Sequence, residues 1–296
     1  MTEPASVSAT AIPSARGGLE HRLLKLLGAI FLVVIVFYIA VPILVTVAMS
    51  FNDAQMIRFP IKAWSLRWYA DFAGSPQWMD ALKNSFVIAA GTAVISTVSG
   101  VLAAWSFERH AFAGKGFLYL VIMMPLFMPG VVLGLGVAMA FGGLQIGGTA
   151  VYGSRVLVML AHSLWAMPLV FMLMEATFRT LDMRVVEASY DLGGRPLRTF
   201  LEIVLPSVST GLVSSALFAF VISLNEFVMA LFLTTRDTQT LPVLMWLSLR
   251  SAGTPRLAVA AVILASVVMA SLALVMVFYA WRLRRMRSGG GRAAAA

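Results

Sequence analysis

The chain of 296 residues contains no cysteine. Disulfides, thiolate metal sites and a cysteine nucleophile are thereby excluded. Its three histidines, His21, His110 and His162, stand far apart, and no His/Asp/Glu cluster has metal-ligand spacing. A zinc centre or a Ser–His–Asp hydrolase would have no residues to be built from. There is no G-x-x-x-x-G-K-[ST] loop to cradle a nucleotide phosphate, so this chain does not hydrolyse ATP by itself. Charge is scarce too. Only 12% of residues are Asp, Glu, Lys or Arg, about half the share usual in soluble domains.

Hydrocarbon takes the place of charge. The chain is 60% hydrophobic, with a mean hydropathy of +0.90. Apolar stretches lie near 25–50, 84–107, 116–141, 155–178, 207–234 and 256–282. Each is long enough, at about 1.5 Å per residue, to cross a hydrocarbon layer of about 30 Å. A helix satisfies its own backbone hydrogen bonds, which lipid cannot do. The alternating ten-residue segments of a membrane barrel are missing. The expected fold is an all-α membrane protein with six transmembrane helices in one domain over 21–287. Residues 1–20, rich in Ala, Ser, Thr, Pro and Gly, read as a disordered lead-in. The apolar run after Lys25 exceeds a signal-peptide core of about 7–15 residues and reads as a retained anchor. Residues 288–296, mostly Gly and Ala, read as a flexible tail.

A net charge of +9 invites a nucleic-acid reading, but the arrangement of the charges favours a topology signal. With the N-terminus inside, fourteen Lys and Arg fall on the cytoplasmic side and eight outside. That excess places both termini in the cytoplasm and makes nucleic acid no partner. The basic run after Arg282 reads as a topology signal, with contact to anionic headgroups as the other reading. In the outer loop 51–83, Trp64, Trp68, Tyr69 and Trp78 read as an aromatic belt, or as a contact for an external solute-binding protein.

Within the spans, Ser85, Gly91, Thr92, Ser96 and Gly100 are small enough to let helices approach closely. Pro125, Pro129, Gly130 and Gly134 predict a kink or local unwinding of the third stretch. Broken helices line transport pathways, which makes Pro129 a candidate pathway residue. Asn225 and Glu226 lie deep in the fifth stretch, where a charge costs about 2.5–3.5 kcal/mol and usually faces a polar interior. They are either pathway residues or interhelical contacts. His162 and Trp165 read as interhelical contacts.

Between the fourth and fifth stretches lies a polar island, 179–206. Asp182 can cap a helix beginning near Met183, and Val185, Val186, Ser189 and Leu192 are spaced to share a face. Gly193-Gly194 supplies a left-handed stop. Pro196 suits the first turn of a second helix, and the amphipathic run Leu197–Val204 leads to Pro206 at the membrane boundary. A helix–turn–helix results, with small Ala188 and Ser189 allowing close approach by a partner.

Within this island Glu187-Ala188-Ser189, three residues, Gly193, nine residues and Ile203-Val204-Leu205-Pro206 resemble the signature loop of binding-protein-dependent ABC importer permeases. The family pattern is E-A-A, three residues, G, nine residues, I-x-L-P. Six of the seven fixed positions match, with Ser189 in place of Ala. Chance agreement is on the order of one in ten million per starting point. The run Pro125–Gly134 and the turn Glu108–Gly116 are similar to polyamine-type permeases. Ser223–Val228 resembles their S-F-D-E/D-F stretch, with Leu224 and Asn225 as departures. The resemblance extends over roughly 84–282 and implies a type I ABC importer permease-like bundle in a bacterial inner membrane.

It also implies that the loop docks on a separate ATPase. Glu187 would supply a polar contact, with Ala188, Ser189 and Asp191 beside it, and Gly193 would set the docking angle. Ile203, Leu205 and Pro206 would pass motion into helix five. No residue here would be catalytic and no cofactor would belong to this chain; ATP and Mg would sit in the ATPase dimer. A second homologous permease, giving a heterodimer, an external solute-binding protein and the bilayer complete the implied partners. A polyamine is the first expectation for the solute, with aminophosphonates, opines and metal chelates as alternatives. The rival class, an ion-coupled carrier, usually shows several intramembrane acids or an internal repeat, and neither is visible.

Overall fold

A computed structural model describes residues 17–293. The expected disordered lead-in therefore lies largely outside the described residues, as do 294–296, but residues 17–20 already belong to a helix. At the other end, 288–293 continue the last helix where a flexible tail was expected. Extending an existing helix adds one hydrogen bond per residue without a new nucleation cost.

Helix α1 (Gly17–Ser50) leads through a loop to α2 (Arg67–Gly74) and α3 (Pro76–Arg109). The chain continues through α4 (Lys115–Phe127), α5 (Gly130–Phe141), a hairpin of β1 (Gln145–Ile146) and β2 (Thr149–Ala150), and α6 (Arg155–Phe178). The polar island holds α7 (Met183–Asp191), α8 (Pro196–Thr199), a π turn (Phe200–Val204) and α9 (Leu205–Ser207). Then follow α10 (Ser209–Asn225), α11 (Val228–Leu233), α12 (Leu241–Ala252) and α13 (Arg256–Ala293).

Helices α3 and α6 run parallel at the centre. Thr92 Oγ1 donates to the Met159 carbonyl at 3.3 Å, and Phe107 meets Phe171 edge-on at 5.1 Å. Gly100 permits this contact: a Cβ there would lie 2.7 Å from Val170 Cγ1 and 3.1 Å from the Phe171 nitrogen. Half of the apolar window of α6 is buried (50%), but none of that of α1 (0%) and little of that of α13 (6%). Those two peripheral helices present their apolar surface to lipid. Central and peripheral positions follow from side-chain size, because small residues bring backbones together where no hydrophobic drive separates helix from lipid.

Two of the six spans are broken. The third bends by 103° between α4 and α5, far more than a proline kink in a continuous helix. It still runs from end to end: Lys115 Nζ donates to the Phe107 carbonyl at one end, and Gly153, past the hairpin, pairs with Thr234 at the other. The fifth was expected as one helix over 207–234, yet it breaks at Glu226-Phe227 into α10 and α11. Neither proline nor glycine marks that point. Counting each broken helix as one span gives six crossings. Ile57 N donates to the Gly253 carbonyl at 3.1 Å where α1 ends and α13 begins, so both termini of the described chain lie at the same end as the polar island.

At the far end a polar clamp ties the loops together. Buried Asn84 donates through Nδ2 to the carbonyls of Asp237 and Gln239, both at 3.0 Å, and its Oδ1 accepts from Arg155 Nε at 2.8 Å. The expected aromatic belt is corrected here. Trp64 is exposed, but Trp68 and Trp78 are buried. The Arg256 guanidinium lies 5.9 and 5.7 Å from their ring centres and also pairs with Asp71. A partly buried cation beside both indoles adds to the apolar cluster of Phe72, Leu241 and Leu257 that encloses them.

Gly100→Ala should destabilise the purified protein by about 1–3 kcal/mol through overpacking. Gly116→Ala, where a Cβ meets nothing within 4 Å, should be neutral or stabilising by up to about 1 kcal/mol. Unfolding of the two variants in detergent compares them directly.

Candidate functional site: the polar loop and the broken helices

The polar island folds from local signals. Asp182 caps α7, its carboxylate accepting from the Arg184 N–H at 3.1 Å and from the Arg184 side chain at 2.8 Å. These bonds, the side-chain one foremost, hold the Asp182 carboxyl below its usual range. Helix α7 ends with Leu192 N, Gly193 N and Gly194 N donating back to Ala188, Tyr190 and Ser189 carbonyls. Gly193 sits at φ +81°, the left-handed region a Cβ disfavours. Gly194 is required for a different reason, since a Cβ there would come within 2.6 Å of the Ser189 carbonyl.

The buried face of α7 differs from the expected one. Val186 is fully buried, with Met183 and Tyr190 packed beside it, whereas Val185 and Leu192 are exposed, Leu192 by 90%. The spacing 183, 186, 190 turns toward the core because Phe178, Val204 and Leu205 lie beneath it. What remains outward is Val185, Glu187, Ala188, Asp191 and Leu192. Among the described residues Glu187 makes no hydrogen bond or ion pair, so its carboxylate is available to a partner. Ser189, the departure from the pattern, is half-buried, and its hydroxyl bonds Thr199 Oγ1 at 2.9 Å, tying α7 to α8. A groove of about 750 Å³ lies along this junction, lined by Ser189, Gly193, Arg195, Arg198 and Ile203 among others.

The loop base is fastened to the bundle. Trp105 of α3 stacks near Phe178 and Phe200, at 5.3 and 5.6 Å, and Arg109 lies 5.1 Å from the Tyr190 ring centre. Leu205 packs on the core while Pro206 is exposed. The stretch Pro196–Ser207 then turns by 81° into α10. A proline donates no hydrogen bond, and the ladder widens to a π turn just before it. The Pro206 carbonyl accepts from Arg282 Nη2 of α13 at 2.6 Å and from Ser209 Oγ at 2.8 Å.

The two helix breaks meet inside the bundle. A Cβ at Gly130 would lie 3.1 Å from the Trp165 ring and 3.4 Å from Val228, and one at Gly134 would lie 3.0 Å from Met229 Cα. Half-helices α5 and α11 thus begin side by side. Pro129 has no N–H to give the Pro125 carbonyl four residues back; that carbonyl accepts from Met128 N at 3.2 Å and from Trp165 Nε1 at 2.9 Å. His162 Nδ1 lies 2.8 Å from Ser223 Oγ, joining α6 to α10 as an interhelical contact.

The pathway candidates separate. Glu226 is 7% exposed, and its Oε1 accepts from the Met229 N–H at 2.8 Å, capping α11. Asn225 is exposed and donates to the Val221 carbonyl at 2.9 Å, leaving its Oδ1 outward. Pro129 is exposed at the first break. Trp165, expected as an interhelical contact, makes one, joining α6 to α4. The roles of Thr199 and Arg282 were not read from the sequence.

With this geometry in view, the relatives can be placed. Residues 96–288 match the family described as "Binding-protein-dependent transport system inner membrane component". This chain belongs to that family. The permease is 33% identical over 234 residues to the putrescine transport system permease protein PotI of Escherichia coli (strain K12), covering 78% of this chain and 83% of that one. The spermidine/putrescine transport system permease protein PotC of Haemophilus influenzae is 29% identical over 249 residues, covering 83% and 92%. In fold, the permease superposes on a chain of a bacterial ABC transporter that imports alginate. The TM-score is 0.66 at 14% identity, with 93% and 99% covered. It is a multi-pass inner-membrane protein, and the relatives give the ion-coupled carrier no support.

The Asp182 cap carries its own pH signature. The lowered carboxyl means that its contribution is present above the ordinary Asp pKa of 3.8 and is lost as pH falls through the lower folded value. The protection of the amides in Met183–Asp191, relative to their intrinsic exchange, should hold above the ordinary Asp range and fall as pH drops below it. Asp182→Ala should lower that protection at neutral pH.

Proposed function

We propose that this permease forms one half of the translocation pathway of an ATP-driven importer and couples to a separate ATPase through loop 179–206. The observation that carries this is the division of α7. One face is locked into the bundle by Val186 and Tyr190, and the other presents Val185, Glu187, Ala188 and Leu192 to the outside. An exposed apolar shoulder beside two carboxylates unpaired among the described residues, Glu187 and Asp191, suits a cleft with a polar floor. Closure of the ATPase pair pushes the tip, and the stiff base passes the push to α3 through Trp105 and to α10 and α13 through the Pro206 carbonyl. The broken pairs α4–α5 and α10–α11 supply joints where the pathway can open.

In this reading the loop face is cytoplasmic, as the excess of Lys and Arg on that side supports. ATP and Mg belong to the ATPase, and this chain is not an enzyme. A second, similar permease supplies the other half, and an external solute-binding protein delivers the solute. The names of the relatives favour a polyamine such as putrescine.

Gly193→Asp tests the coupling. The position is open to solvent, with nothing within 4 Å of a Cβ, so the variant should insert normally. The left-handed backbone costs a non-glycine residue about 1–2 kcal/mol and should re-aim α7. ATP-driven putrescine uptake should fall more than about tenfold, and ATPase co-purification should weaken. Uptake like wild type at equal membrane abundance would refute the loop's role. Solute movement by the chain alone, without ATP, would refute the importer reading.

A further inference from the structure

One face of α10 is left uncovered by the chain's own packing. Ser214, Phe218 and Asn225 are exposed along it at spacings of four and seven residues, the pitch of a single stripe. The stripe climbs about 17 Å along α10 from Ser214 to Asn225. It ends in a groove of about 380 Å³ between the end of α10, α12 and the start of α13. That volume lies within the range of small-ligand sites.

The groove has a particular chemistry. No Lys, Arg, His, Asp or Glu lines it. Phe227 and Trp246 form a tilted ring pair, with centres 5.5 Å apart. Trp246 is 41% exposed, which leaves part of its indole open. At one side Asn225 presents a carbonyl oxygen, because its amide nitrogen is engaged with Val221. Asn225 is also the last residue of α10, where the free carbonyls and the negative pole of the helix dipole gather. Leu249, Leu257 and Leu264 form an aliphatic wall. Aromatic faces, carbonyl oxygens and a helix C-terminus attract a cation without a formal counter-charge. The leucines suit methylenes, and the groove offers a carboxylate or phosphate no charged partner.

We propose that this groove is a transfer site for a primary alkylammonium solute. The ammonium rests on Trp246 and Phe227 within reach of Asn225 Oδ1, and the methylenes lie against the leucine wall. The site rests on the importer reading above and adds a specificity element to the permease. It binds the cation weakly, through dipoles and ring faces, which permits release down the stripe of α10. Glu226, turned inward as a cap, shapes the break and does not pair with the solute.

The test uses the complete importer in liposomes, with radiolabelled putrescine as the probe and uptake per ATP hydrolysed as the readout. Trp246→Ala should lower that ratio about tenfold, and Trp246→Phe, which keeps a ring face, should stay within about threefold of wild type. Asn225→Leu should lower it as well. Wild-type behaviour of Trp246→Ala overturns the site while leaving the importer reading intact; that is also the result expected if lipid fills the groove. Equal impairment of the Phe and Ala variants overturns it too, since bulk and not a ring face would then matter. A wild-type importer that moves a neutral or anionic solute but no putrescine defeats the polyamine reading first, and the ammonium site with it.

Discussion

A backbone carbonyl or N–H inside a bilayer must find a partner within the protein, because the lipid offers none and an unmet group costs several kcal/mol. This permease breaks two of its helices under that constraint. Each break survives because a side chain supplies what the helix gave up. Trp165 donates to the carbonyl that Pro129 cannot reach, Glu226 caps the first turn of α11, and Asn225 closes back on Val221. Arg282 does the same for the Pro206 carbonyl at the loop end.

The same contacts join distant parts of the molecule. Trp165 belongs to α6, which is half buried and packed along α3. The base of the loop is held by Trp105 and Arg109 of α3 and by Phe178 of α6. A force on α7 therefore meets a rigid pair of central helices and, at Pro206, the joint into α10. At the far end Asn84 of α3 holds the segment between α11 and α12, so both ends of the fifth span answer to α3. The apolar α1 and α13 at the margin contribute span and surface, with little burial of their own.

Much of this was legible in the residues. Six apolar runs announced six crossings because hydrocarbon thickness sets a minimum length. Asp182, Gly193 and Pro196 announced a capped helix, a left-handed stop and a new start because each acts on its immediate neighbours. Pro125 and Pro129 announced a break, though not its 103° angle. The face of α7 was read only in part: of Val185, Val186, Ser189 and Leu192, Val186 and Ser189 turn inward while Val185 and Leu192 do not, because helical spacing cannot say which side meets a core. Trp68 and Trp78 read as a surface belt because much of the cluster that buries them, Leu224, Leu241 and Leu257 among it, is more than a hundred residues away in sequence.

The sequence by itself determined the class of protein, the number of crossings, the polar loop and its turn, since composition, length and local backbone preference act over a few residues. Tertiary structure alone decided how far the third span bends, which face of α7 turns inward and which aromatic rings gather at the groove. Those outcomes depend on hydrogen bonds and packing between residues of different helices, where sequence spacing carries no distance.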